Sequence, residues 1–336
     1  NFTGDSKGSL VLGAGAKFDL SSHLQTLKKG DDTKICSCDI EEVSDFNTSW
    51  SVEHRTRTFL KVQDGCDYNC SFCTIPLARG KSRSDSIKNV LENIKEIAQA
   101  GSKEIIFTGV NLGDFGENGE NFYQLINAVD ALQLNIRYRI SSIEPNLLTD
   151  EIIKFVAQSK QFMPHFHIPL QSGSDKILGR MRRRYKKDLY QKRISLIKEF
   201  IPDACIGVDV IVGFPGETED EFMETYTFLS SLPVSYFHVF TYSERENTLA
   251  AEMDNEVPVP IRHIRNKRLR ALSYEKQMKF LTTEKSTQGL FVVLDLKGKV
   301  VPRFVGMKEI EKDLCKITKI EAKMQENIGE LIEFEE

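Results

Sequence analysis

Cys66, Cys70 and Cys73 stand in the run Gly65-Cys66-Asp67-Tyr68-Asn69-Cys70-Ser71-Phe72-Cys73, a C-x3-C-x2-C array that follows the apolar stretch Thr58–Val62. Three thiolates can satisfy three irons of a four-iron cluster and leave the fourth without a protein ligand. Electron-transfer clusters use four Cys, so a three-Cys loop points to a cluster that binds and acts on a substrate. Zinc fits less well. A structural zinc site takes four N or S ligands, usually as two separated pairs, and no second C-x2-C occurs in the chain. His54 could add a fourth ligand, but it lies before the strand rather than in a partner hairpin. Seven cysteines, an odd number spread over 336 residues, do not make a disulfide framework.

The elements that must position this loop alternate. Candidate strands are Thr58–Val62, Glu104–Thr108, Arg137–Ser141, His165–Pro169, Cys205–Ile211 and Tyr236–Thr241. Between them, Ser84–Ala100 carries Ile87, Val90, Leu91, Ile94 and Ile97 at helical spacing and stops at Gly101. Thr149–Ala157, Leu189–Phe200 and the acidic-opening Thr218–Leu232 read as further helices. Six such repeats mean parallel strands with crossover helices. Either an open doubly wound sheet or a partial barrel would satisfy them, and polar residues after nearly every strand favour the barrel, whose strand C-terminal ends share one mouth.

Those ends carry Thr108-Gly109-Val110-Asn111, Ser141-Ser142-Ile143-Glu144-Pro145, His167-Ile168-Pro169-Leu170-Gln171-Ser172-Gly173, Asp209 with Gly213–Thr218, and Thr241-Tyr242-Ser243. Thr, Ser, Asn and Gly end strands for local reasons. Glu144, Gln171 and Asp209 call for a partner, and function is the preferred reading for all three. Gly213–Gly216 has neither the Walker nor the dinucleotide pattern. With Glu217, Glu219 and Asp220 beside it, the turn suits an uncharged adenine ring better than a phosphate. The run Arg180–Lys187 packs six cations into eight residues beside the Gln171 loop. At least one of these arginines is a candidate to grip a carboxylate, and the others could meet a polyanion. Arg262–Arg270, on the last helix, reads as solvent-facing.

Composition bounds the rest. Apolar content of 40% with 28% charged is that of a globular protein, and no apolar run spans a membrane. The net charge of −4 confines any nucleic-acid surface to a local patch. Free cysteines and the absence of a signal pattern at the start lead to the expectation of a reducing cytoplasm. Asn1–Gly8 is a polar fragment without periodicity, so a preceding N-terminal region is expected to be missing. After Lys279 the segments Gly289–Leu294, Lys299–Phe304, Leu314–Ile320 and Leu331–Phe334 read as short strands of a small all-β module.

From Arg55 to about Ala251 the chain resembles the radical S-adenosylmethionine methylthiotransferases, and most of all the bacterial branch acting on threonylcarbamoyladenosine in tRNA. The matching segments are Phe59–Gly80 (FLKVQDGCDYNCSFCTIPLARG), Thr108–Gly116, Tyr138–Leu148 (YRISSIEPNLL), His165–Asp175 (HFHIPLQSGSD), Met181–Tyr185, Gly207–Thr218 (GVDVIVGFPGET) and Phe240–Glu244. Ser9–Asp45 is similar to the tail of the family's N-terminal domain, and Leu281–Glu336 to its TRAM RNA-binding barrel. The resemblance implies an α/β fold: a radical SAM partial (β/α)6 barrel over residues 55–280, a truncated N-terminal methylthiotransferase domain and linker over 1–54, and a TRAM-like β-barrel over 281–336.

It also implies the chemistry, methylthiolation of C2 of N6-threonylcarbamoyladenosine at position 37 of tRNA. Sister activities on a ribosomal protein side chain or on isopentenyladenosine are the alternatives. A non-catalytic RNA-binding protein with a structural metal is less favoured, since such a site needs no open iron. By this resemblance Cys66, Cys70 and Cys73 hold a 4Fe-4S cluster that cleaves S-adenosylmethionine. Thr108 and Asn111 hold the methionine amine and Arg183 its carboxylate. Glu144 or Asp209 takes the ribose hydroxyls, and Gln171 and Tyr242 lie near the adenosine or the substrate. Phe72 and Tyr68 could line the base pocket or pack the loop. The family's auxiliary 4Fe-4S cluster has no matching cysteines here, and Cys36 and Cys38 read as buried or incidental thiols. Expected partners are the tRNA anticodon loop and an electron donor such as flavodoxin or ferredoxin.

Overall fold

A computed structural model of the chain describes residues 10–25, 32–51, 57–116, 119–282, 293–294 and 300–301. The chain divides into two units, Asn1–Lys276 and Gln277–Glu336. The expected boundary at 54/55 falls among residues 52–56, outside the described residues.

The first unit is built on six parallel strands: β1 (Thr58–Lys61), β2 (Glu104–Thr108), β3 (Arg137–Ile140), β4 (His165–His167), β5 (Cys205–Val212) and β6 (Tyr236–Thr241). Each precedes a helix: α1 (Ile87–Gln99), α2 (Phe122–Asp130), α3 (Asp150–Gln158), α4 (Lys187–Phe200), α5 (Glu219–Ser231) and α6 (Val259–Thr282), the last of which runs past the unit's end at Lys276. The strands pair in chain order, β1-β2-β3 in one sheet and β4-β5-β6 in the other. Parallel bridges from Tyr138 to Phe162 and from Ser142 to His167 continue the pairing between them. A doubly wound sheet would reverse its strand order; this one does not. β1 and β6 are not neighbours, and the far edge of β1 pairs with Ser49–Trp50 instead. The result is a partial barrel.

Local chemistry places the helices. Ser86 caps α1 by accepting from the Asn89 amide at 3.2 Å, and Val90, Ile94 and Ile97 form its buried stripe. Thr149 caps α3. Thr218 and Glu221 close a capping box on α5, and Asn121 with Gln124 does the same for α2, a helix absent from the sequence reading. Alternate residues of β5 (Ile206, Val208, Val210 and Val212) are buried in the main apolar core. Gly207, Asp209 and Ile211 therefore face the barrel interior.

Leu10–Leu12 pairs in parallel with Lys34–Cys36 as a separate two-stranded sheet. In the second unit Val293–Leu294 pairs antiparallel with Val300–Val301. The expected TRAM-like barrel over 281–336 lies almost wholly outside the described residues. No helix among the described residues is long and apolar enough to cross a membrane.

Candidate active site

The cysteine loop is clamped at its base. Gln63–Asp64 pairs antiparallel with Arg83–Ser84, and the Gln63 carboxamide is buried between them. Its Nε2 donates to the Gly65 carbonyl at 2.8 Å and to Ser82 Oγ at 2.9 Å. Its Oε1 accepts from the amides of Val110 at 2.8 Å and Asn111 at 2.9 Å. One side chain thus ties the sulfur loop to the turn after β2. Asp64 adds a charged clasp with Arg79 at 3.0 Å and Arg83 at 3.2 Å. Burial alone would raise the Asp64 carboxyl, but the Arg79 and Gly65 donors outweigh it and hold it below its ordinary value.

Gly65 begins the loop at φ +70°, where a Cβ would sit 1.9 Å from the Lys81 carbonyl oxygen. Gly65→Ala is expected to cost about 1–3 kcal/mol of stability and to lower the melting temperature by roughly 2–4 °C per kcal/mol. Thermal denaturation followed by circular dichroism checks this, and an unchanged midpoint would show that the loop relaxes freely.

The three thiols lie within reach of one another's charge. Burial pushes Cys66 up to about 11, against the pull of the Tyr68 amide, and charge on Cys70 or Cys73 raises it further. Among the described residues, the set of three metal-ligating side chains whose donor atoms all lie within 4.8 Å is His167, Asp209 and His238, not the cysteines. An all-sulfur donor set of three on one short loop suits iron–sulfur ligation. Backbone amides support it: Tyr68 N–H donates to Cys66 Sγ and Ile75 N–H to Cys73 Sγ, both at 3.4 Å.

Cys70 meets the barrel mouth. Arg183 Nη1 donates to its sulfur at 3.0 Å, Arg183 Nε donates to the Tyr185 hydroxyl at 3.2 Å, and Arg183 Nη2 pairs with Glu144. Burial raises Glu144, opposed by Arg183, whose own charge is reinforced by Tyr185 and Glu144. Tyr185 is anchored in turn by donating to the Pro169 carbonyl at 2.9 Å. Asn111 Nδ2 donates to Asp114 at 2.7 Å, and its Oδ1 accepts from the Glu144 amide at 3.4 Å. Thr108 ends β2 next to this turn. Gln171 adopts φ +66°, unusual for a residue with a side chain, and bridges to β5 by donating its amide to the Asp209 carbonyl at 2.8 Å.

The loop tip docks on a second apolar cluster of Ile177, Met181, Phe214, Tyr242 and Ala250. Phe72 lies edge-on to Phe214 at 6.3 Å, and Phe214 to Tyr242 at 5.4 Å, so Phe72 packs the loop. Tyr68 packs as well, under the Arg184 guanidinium at 3.9 Å, while its hydroxyl accepts from Asn146 at 2.7 Å. Tyr242 is buried with a hydroxyl that has no hydrogen-bond partner among the described residues.

Several expectations are corrected. Arg262 and Arg265 are buried rather than solvent-facing. Arg265 pairs with Glu217 at 2.8 Å, and Arg262 pairs with Glu244 at 2.6 Å and with Glu256 at 2.8 Å while donating to the Tyr242 carbonyl at 2.9 Å. Glu217, read as repelling an anion, is itself fully buried and accepts from the Gly213 amide at 2.6 Å. Cys36 is half-buried and Cys38 exposed, so neither is a buried thiol. Asp209 is engaged by His167 Nε2 at 2.9 Å and His238 Nδ1 at 3.1 Å; His167 belongs to the fourth strand-end run, whereas His238 carries no signal in the sequence.

A family model described as the Radical SAM superfamily matches residues 60–229. The chain is 34% identical over 316 residues to the threonylcarbamoyladenosine tRNA methylthiotransferase MtaB of Aquifex aeolicus (strain VF5), covering 93% of this chain and 77% of that protein. It is 44% identical over 222 residues to the MtaB of Bacillus subtilis (strain 168), covering 65% of this chain and 49% of that one, so it spans about half of that relative's length. Among solved structures, the radical S-adenosylmethionine methyltransferase TsrM from Kitasatospora setae, with cobalamin and a [4Fe-4S] cluster bound, aligns with a TM-score of 0.50. That match has 14% identity and covers 57% of this chain and 38% of that one, a likeness of fold. The chain belongs to the radical SAM superfamily, whose members use a 4Fe-4S cluster and S-adenosylmethionine, and within it to the threonylcarbamoyladenosine tRNA methylthiotransferases.

Proposed function

We propose that this chain is the radical-generating core of a tRNA methylthiotransferase that modifies C2 of N6-threonylcarbamoyladenosine at position 37. The observation that carries the reading is the three-cysteine loop held against the Arg183–Glu144 pair at the barrel mouth. With S-adenosylmethionine, the cluster supplies reductive cleavage of the S–C5′ bond and the hydrogen-abstracting radical that an inert C2–H requires.

Cys66, Cys70 and Cys73 hold the metal centre at three corners. Thr108 and Asn111, on the turn fixed by Gln63, take the methionine amine. Arg183 keeps N–H donors beyond the three it uses and takes the carboxylate. Glu144 takes the ribose hydroxyls, the better candidate because Asp209 already accepts from two imidazoles. Gln171 and Tyr242 face the adenosine, and the unsatisfied Tyr242 hydroxyl is a group that a ligand would complete.

The substrate base comes from the anticodon loop, where single-stranded bases can be splayed out and read. Flavodoxin or ferredoxin supplies the electron in the cytoplasm. The auxiliary cluster's ligands are not assigned to residues of this chain.

Anaerobic reconstitution with iron, sulfide and dithionite is expected to give 5′-deoxyadenosine from S-adenosylmethionine. Nucleoside mass spectrometry of tRNA from a deletion strain is expected to show loss of the 2-methylthio group from threonylcarbamoyladenosine. Cleavage absent under reduction, or unaltered nucleosides in the deletion strain, would sink the reading.

A further inference from the structure

The interior face of β4, β5 and β6 carries a polar constellation that the cluster site does not use. Asp209 sits opposite His238 in the β5–β6 register, and Gly207 sits opposite His167 on one side and Tyr236 on the other. Asp209 Oδ1 accepts from both His167 Nε2 and His238 Nδ1, and the two rings lie 5.5 Å apart. Burial would raise Asp209, but the two imidazole donors overcome it and hold the carboxylate near 2. The same hydrogen bond raises His238.

His238 differs from its partners in access. Its side chain is 53% exposed, against 18% for His167 and 21% for Asp209. With Nδ1 given to Asp209, Nε2 has no hydrogen-bond partner among the described residues. In its protonated form, which the Asp209 carboxylate favours, a ring held this way offers its Nε2–H to an anionic ligand. Two residues along the same face of β6 stands Phe240, a large aromatic that is 52% exposed. A flat apolar ring beside a cationic donor suits a purine whose substituent ends in an anion.

We propose that His238, braced by Asp209 and His167, binds the terminal carboxylate of the N6 substituent of the substrate adenine, with Phe240 under the purine. This rests on the function proposed above and deepens it: the site selects an anionic N6-carbamoyl amino-acid group over a neutral N6 substituent. The ligand class follows from a single exposed N–H on a carboxylate-backed imidazole, which a purely apolar N6 group would leave unpaired.

The test uses the full chain reconstituted with its cluster and three anticodon stem-loop RNAs. One carries threonylcarbamoyladenosine, the second its carboxamide analogue and the third plain adenosine. Dissociation constants come from fluorescence anisotropy in buffer treated with a divalent-metal chelator that leaves the cluster intact. The native protein is expected to bind the carboxylate RNA about tenfold more tightly than the carboxamide, the equivalent of ~1.4 kcal/mol. His238→Gln is expected to bind both alike, at the carboxamide level, and His238→Arg to restore the preference. Phe240→Leu is expected to weaken both modified RNAs together.

A preference that survives in His238→Gln overturns this inference and leaves the proposed function standing. A preference that needs a divalent ion also overturns it, because the three side chains would then be metal ligands. Native protein that treats all three RNAs alike contradicts the proposed function itself.

Discussion

A chain with Cys66, Cys70 and Cys73 all replaced by alanine is expected to leave anaerobic reconstitution with no bound iron, where the native chain takes up about four per triad. Production of 5′-deoxyadenosine should fall to the level of a protein-free control. The loss is total because the three thiolates are the proposed cluster ligands and alanine offers no donor in their place. The fold should survive. The loop base is held by Gln63, Asp64, Arg79 and Arg83, and its tip by Ser71, whose hydroxyl donates to the Arg180 carbonyl at 2.8 Å. Iron analysis, product chromatography and circular dichroism read the three consequences separately. Iron retained at native stoichiometry would show that other residues hold the centre.

Arg183→Met carries the second large effect, on stability. The Arg183 side chain is only 4% exposed and its partner Glu144 13%, so the substitution leaves a carboxyl buried without its counter-charge. Breaking a buried pair from one side costs about 3–5 kcal/mol. Exchanging both partners for apolar residues is often neutral, so Arg183→Met combined with Glu144→Met should recover most of the loss. Urea denaturation of the two variants checks this: equal losses in the single and double variants would show that Arg183 acts by packing alone.

The barrel itself was largely readable from the sequence. The expected strands Glu104–Thr108 and Tyr236–Thr241 coincide with β2 and β6, and the other four differ only at their ends. These strands are short runs of apolar and aromatic residues bounded by turn chemistry, a local signal. The cysteine array was equally local. What escaped depends on pairing between distant segments. α2 is the exception, since its signal, the Asn121–Gln124 capping box, is local but brief. Arg265 looked solvated because a cation every few residues on a long helix usually is; Glu217, 48 residues earlier, draws it inside. His238 had no meaning until the β5–β6 register set it beside Asp209. Gln63 gave no hint of its role, since an amide next to a strand is ordinary until its five bonding partners are known.

That amide also makes two parts of the site mechanically one. Because a single carboxamide rivets the sulfur loop to the Val110–Asn111 turn, neither can shift without dragging the other. A Gln63→Leu chain would therefore show both segments loosening together, as a single hinge-pin failure rather than two separate ones.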